Sequence, residues 1–134
     1  ALRVGYGFAH PEVITTLHKV RSPFNTSSPA QVAAIAALVD QAFVQQCVEL
    51  NRRELAYLAG ALKKMGLAVT PSVTNFVMVD VPMDADEFFQ ALPRQGVIVR
   101  PQKAGGFPRS VRVTVHTREG NDRFLAATKK VLGR

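Results

Sequence analysis

The stretch VRVTVHTREGNDRFL, residues 111–125, changes rhythm half-way along. Val111, Val113 and Val115 alternate with Arg112, Thr114 and His116, the two-residue period of a strand that buries one face. From Thr117, a residue suited to capping, the period lengthens, and Phe124, Leu125, Val131 and Leu132 belong to a closing helix. A strand that passes into a helix within so few residues is the unit of a layered fold, a sheet backed by helices.

Upstream, the same reading gives more strands. LAVT (67–70) and NFVMVDV (75–81) read as strands around the turn-prone PSVT, and GVIVRP (96–101) as another. Asp84 with Glu87 opens a helix that carries Phe88, Phe89 and Leu92. Residues 67–134 are therefore expected to form a small α/β (α+β) domain with a mostly antiparallel sheet.

Before it, residues 31–66 read as helical. From Ala30 to Met65 there is no proline and one glycine, Gly60, with a division near Asp40 and Gly66 placed as a helix C-cap. Ser28 as capping hydroxyl, Pro29 at the first helical position and Gln31 reaching back mark the start. Val44, Val48, Leu55, Leu58 and Leu62 form an apolar stripe, and Glu49 faces Arg53 across one turn. The segment reads equally as a connection between two domains or as a long surface helix. Residues 1–30 begin with a short expected strand over LRVGYGF (2–8), followed by a helix that Pro11 opens, with Val13, Ile14, Leu17 and Val20 at helical spacing.

Composition limits the function classes. At 47% hydrophobic and 20% charged residues, a chain of 134 residues is in the ordinary globular range. Its one cysteine, Cys47, has no internal disulfide partner and no Cys or His at metal-ligand spacing, so no metal site is expected and a reducing, cytoplasmic setting is. No apolar run approaches the ~18 residues of a membrane span. The net charge of +7 is spread over single and paired basic residues, with two Tyr and no Trp, which argues against nucleic acid.

Arg112 is the chemically interesting residue of the opening stretch, because alternation turns it away from the valine face. Its planar fork of donors suits a carboxylate or a phosphate. A surface arginine on a half-exposed sheet is the plainer account from the residues alone. Arg100 ends the preceding strand, and the loop PQKAGGFP between them can bring the two together at one edge or leave them at opposite ends.

Taken in order, LRVGYG with a Pro-Glu helix, KVRSPFNTSSPAQ, PSVTNFVMVDV, GVIVRP and VRVTVHTREGNDRFL resemble the C-terminal part of the histidinol-phosphate aminotransferase family, fold-type I pyridoxal-phosphate enzymes. The resemblance covers nearly the whole chain and implies the following. Residues 1–30 end a large cofactor-binding domain, 31–66 are connecting helices, and 67–134 are the small domain. Arg3 binds the cofactor phosphate, Arg112 grips the substrate carboxylate, and Arg100 holds the phosphate end of histidinol phosphate; Asn25 borders the site without an assigned role. The whole protein would be a homodimer that uses pyridoxal 5'-phosphate to turn histidinol phosphate and 2-oxoglutarate into imidazole acetol phosphate and glutamate, in histidine biosynthesis. Its small-molecule substrate leaves no place for nucleic acid or membrane. The Schiff-base lysine, the acidic partner of the pyridine nitrogen and the stacking aromatic would all precede Ala1, so no catalytic residue is assigned here and these residues alone are expected to be inactive. Val4, Tyr6 and Phe8 would then lack their covering. Gly120 stands where the family tends to have an acidic residue, an expected loss of ~1 kcal/mol or less at the helix start. Two other readings stay open: a related pyridoxal-phosphate enzyme acting on another amino acid or phosphorylated substrate, including the threonine-phosphate decarboxylase type, and a noncatalytic binding module.

Overall fold

The computed structural model describes residues 2–133. They form two compact units, up to Gln45 and from Gln46 onward, and the division falls within a helix.

In the first unit, residues 2–10 have no regular structure, against the strand expected over 2–8. A strand is stable only against a neighbour, and no described residue pairs with this segment; Arg3, at φ +56, also breaks an extended path. Helix α1 (Pro11–Val20) carries proline in its first turn, as expected. Helix α2 (Ser28–Val39) starts one residue earlier than the sequence implies: Ser27, not Ser28, is the cap, and its hydroxyl accepts from the Ala30 amide at 3.3 Å. Gln31 does reach back, donating to the Thr26 carbonyl. Val4, Tyr6 and Phe8 are exposed, the two rings meeting edge to face with centroids 5.6 Å apart.

Helix α3 (Gln41–Lys64) follows the break at Asp40. Its inward face is Glu54, Leu58 and Leu62, with Leu55 partly buried, whereas Val44 and Val48 are exposed, so the stripe is shorter than expected. Glu49 pairs with Arg52 at 3.0 Å, one position before the expected Arg53, which turns instead to Glu54. Gly66, at φ +73, ends the helix: its amide bonds the Lys63 carbonyl and the Leu67 amide bonds that of Leu62, closing the turn that a left-handed residue permits.

The second unit is built on a four-stranded antiparallel sheet in the order β1-β2-β4-β3: β1 (Ala68–Thr70), β2 (Phe76–Asp80), β3 (Arg100–Pro101) and β4 (Ser110–Thr114). Val77, Val79, Val111 and Val113 alternate onto one face and pack with Leu58 and Leu62 of α3, Phe88 of α4 (Ala85–Ala91) and Phe124 of α5 (Arg118–Val131). Asp84 caps α4, accepting from the Asp86 amide at 2.9 Å, and its pKa is lowered chiefly by Lys103.

Two local expectations fail. Strand β3 has two residues rather than six, because Gly96, at φ +71, closes a 3-10 turn over Pro93–Gln95 and the Val97 amide is bonded to the Leu92 carbonyl instead of to the sheet. Thr117 occupies the cap position of α5 without a side-chain cap bond, its hydroxyl lying 3.1 Å from Nδ1 of His116.

Candidate functional site

The register of β3 on β4 decides where the arginines lie. Arg100 stands directly opposite Arg112, and cross-strand partners share a face. That face is the one without the valines. On it the Arg112 guanidinium lies 5.1 Å from the ring centroid of Phe76, reached diagonally from β2, where Met78 is Arg112's direct partner.

Like charges placed opposite each other repel, and neither arginine has a carboxylate partner among the described residues. An anion held between two forks removes the repulsion and fills their donors. Both arginines line a cavity of about 500 Å³ that continues along Val97–Val99 and across His116, Gly120 and Arg123. The cavity exists because β3 is short: the chain before Arg100 leaves the sheet, and space opens beside the end of β4. No lysine lines it. A larger cavity of about 630 Å³, bounded by Tyr57, Ala61, Met65 and Leu125, has a mainly apolar wall and contains neither arginine.

Behind the β4–α5 turn is a buried ionic cluster that sequence patterns did not reveal. Glu54, 1% exposed, accepts from Nε and Nη2 of Arg118 at 3.0 and 3.2 Å, from Arg53 at 3.1 Å and from the Asn121 amide at 3.3 Å. These bonds, those of Arg118 foremost, hold its pKa down at about 2 although burial pushes the other way. The Arg118 guanidinium lies 3.5 Å from the ring centroid of Tyr57, whose hydroxyl donates to Asp122. Asn121 also bonds both the amide and the carbonyl of His116, so the cluster fixes the turn that carries His116 to the cavity. Glu54 and Arg118 are 64 residues apart, and no local spacing announces their meeting.

Among the other sequence candidates, Arg3 is exposed in the first unit, has no carboxylate partner among the described residues and has a left-handed backbone. An exposed, unneutralised guanidinium is chemically fit for a phosphate. Asn25 accepts from Nη1 of Arg21 at 3.2 Å. Cys47 is exposed. No single helix among the described residues is long and apolar enough to cross a membrane.

The family model for aminotransferase class I and II matches residues 1–127. The chain belongs to the class I and II aminotransferases. This aminotransferase chain is 49% identical over 132 residues to the histidinol-phosphate aminotransferase of Bacillus subtilis (strain 168) and 47% to that of Brevibacillus brevis (strain 47), in each case over 98% of its own length. It spans only 37% and 36% of those curated relatives. Among solved structures, the histidinol-phosphate aminotransferase of Sinorhizobium meliloti in complex with pyridoxal-5'-phosphate aligns over 92% of this chain and 35% of that one, at a TM-score of 0.73 and 29% identity. The expected family and the antiparallel small-domain sheet are both borne out.

Proposed function

We propose that this chain is the C-terminal part of a histidinol-phosphate aminotransferase, with residues 1–30 closing the large cofactor domain, 31–66 connecting, and 67–134 forming the small domain. In this reading the whole protein is a cytoplasmic homodimer that converts histidinol phosphate and 2-oxoglutarate into imidazole acetol phosphate and glutamate. The observation that carries the reading is the placement of Arg100 opposite Arg112 on the open face of the sheet, together with the identity to named relatives.

The two arginines divide the work of recognition. Arg112 grips the carboxylate of glutamate and 2-oxoglutarate, and Arg100 takes the phosphate of histidinol phosphate. Because they are cross-strand neighbours, the two anions bind side by side, and the amino donors take turns over nearly the same place. The aromatic face of Phe76 under Arg112 limits the directions in which that fork can turn. Held by its anionic group, a substrate presents the amine-bearing carbon in a fixed direction, which is the entropic part of the rate.

Pyridoxal 5'-phosphate, when bound, supplies the aldehyde that takes up the amine and the ring that withdraws electrons from that carbon. Among these residues Arg3 would hold its phosphate, and none of those lining the arginine cavity is a lysine that could hold its aldehyde.

The test is an assay of the complete gene product with histidinol phosphate and 2-oxoglutarate. Glutamate and imidazole acetol phosphate are the expected products. Release of carbon dioxide from O-phosphothreonine, with no turnover of histidinol phosphate, would move the protein to the decarboxylase type; no turnover of either would leave a binding module.

A further inference from the structure

Strand β3 is weakly anchored for an element that carries a recognition residue. It has two residues, it lies at the edge of the sheet, and one of them, Pro101, has no amide to give to a ladder. Repulsion between Arg100 and Arg112 across the pair works against it as well. The loop that follows, QKAGGFPR (102–109), contains two adjacent glycines, and Gly106, at φ +87, takes a left-handed turn.

That loop is tied to the elements around it. Its far end is held through the main chain: the Ala85 amide bonds the Pro108 carbonyl at 2.9 Å and the Val81 amide bonds the Arg109 carbonyl at 2.8 Å. At its near end the Gln102 amide bonds the Ser110 carbonyl at 3.0 Å, within the hairpin itself, and the tie to another element is a side chain. Lys103, three residues after Arg100 and at the start of a 3-10 turn over Lys103–Gly105, donates from Nζ to Oδ2 of Asp84 at 2.9 Å and lies 3.4 Å from Oδ2 of Asp86. Among the described residues no other side chain of this loop makes an ion pair. Asp84 divides its oxygens, Oδ1 capping α4 and Oδ2 taking the lysine. Helix α4 is a rigid anchor, because its Ala85 and Phe88 are wholly buried in the core. Each partner keeps the other charged: Asp84 foremost raises the pKa of Lys103, and Lys103 foremost lowers that of Asp84.

We infer that Lys103, held by Asp84 and Asp86, is a positioning residue that keeps Arg100 opposite Arg112, so that the Arg100 guanidinium meets the substrate in one place. The inference rests on the reading of Arg100 as the group that takes the phosphate of histidinol phosphate. Lys103 itself holds no substrate. It sets the fraction of molecules whose β3 is in register, and apparent affinity scales with that fraction. Arg112 needs no such latch, since β4 is paired on both sides.

The experiment measures kcat/KM of the complete gene product for histidinol phosphate, unphosphorylated histidinol and 2-oxoglutarate in Lys103→Gln, Asp84→Asn, the double variant, Lys103→Arg and, as reference, Arg100→Gln. Asparagine caps a helix as aspartate does, so Asp84→Asn opens the latch without loosening α4. An ion pair this exposed contributes little, so each single variant should lower the value for histidinol phosphate about three- to fivefold and leave the other two unchanged. The double variant should lose no more than either single one, because the pair acts as a unit, and Lys103→Arg should recover most of the loss. Unchanged values in Lys103→Gln and Asp84→Asn, with a large fall in Arg100→Gln, would overturn the latch and leave Arg100 in its role. A fall in Lys103→Gln that Asp84→Asn does not share would make Lys103 a direct ligand, and equal losses on all three substrates would make the pair merely structural; either result also overturns the latch. No effect of Arg100→Gln would overturn the reading of Arg100 and the latch with it.

Discussion

Glu54 is a carboxylate that the folded chain keeps ionised under a helix, and its partners make its contribution depend on pH. Its pKa falls from an ordinary 4.5 to about 2, so the unfolded chain binds a proton before the folded one does. Stability from this group is fully present above pH 4.5 and is lost as pH falls toward about 2. In Glu54→Gln the drop in urea midpoint between about pH 5 and about pH 2 should be shallower than in the unsubstituted chain; an identical slope would mean that Arg118 does not hold Glu54 in solution. The opposite case is Thr128, wholly buried, whose hydroxyl has no hydrogen-bond partner among the described residues. Thr128→Val keeps the shape and removes an unsatisfied group, so it should be neutral or stabilise by about 1 kcal/mol in chemical denaturation.

At the scale of elements, caps and breaks determine where the chain turns, and they are open to single substitutions. Ser27→Ala removes the hydroxyl that accepts from Ala30 and should destabilise α2 by about 1 kcal/mol, whereas Ser28→Ala, one residue into the helix, should change little. Helical content measured on both variants distinguishes the two serines. The sequence made the elements of the second unit legible where periodicity is strong: the valines of β2 and β4, the Asp84 cap and the Gly66 stop are where they were expected. It failed where one residue has two possible uses. Ser27 and Ser28 are both capping residues, and only the hydrogen bond chooses; the Thr117 hydroxyl could serve α5 or His116, and lies against His116. The LRVGYGF segment looks like a strand but has nothing to pair with among the described residues. Of the site, Arg112 was legible because a two-residue period assigns a face; Arg100 was legible as a candidate, but its pairing with Arg112 was left open because that depends on the register set through a glycine-rich loop.

For the whole molecule, the account is that a small antiparallel domain presents an anion-reading face and that the reacting groups of the cofactor are held elsewhere. The 134-residue chain, mixed with pyridoxal 5'-phosphate, histidinol phosphate and 2-oxoglutarate, should therefore form no glutamate, since none of the described residues lining the arginine cavity is a lysine; any cofactor-dependent turnover would contradict this. The central claim is that Arg100 and Arg112 recognise the substrate by its anionic group. Its most direct test is kcat/KM of the complete gene product for histidinol phosphate, unphosphorylated histidinol and 2-oxoglutarate, before and after Arg100→Gln and Arg112→Gln. The account predicts that Arg100→Gln lowers the value for histidinol phosphate about a hundredfold with little change for histidinol, and that Arg112→Gln lowers the value for 2-oxoglutarate by a similar factor. Equal losses for histidinol phosphate and histidinol in Arg100→Gln, or no loss in either variant, would contradict it.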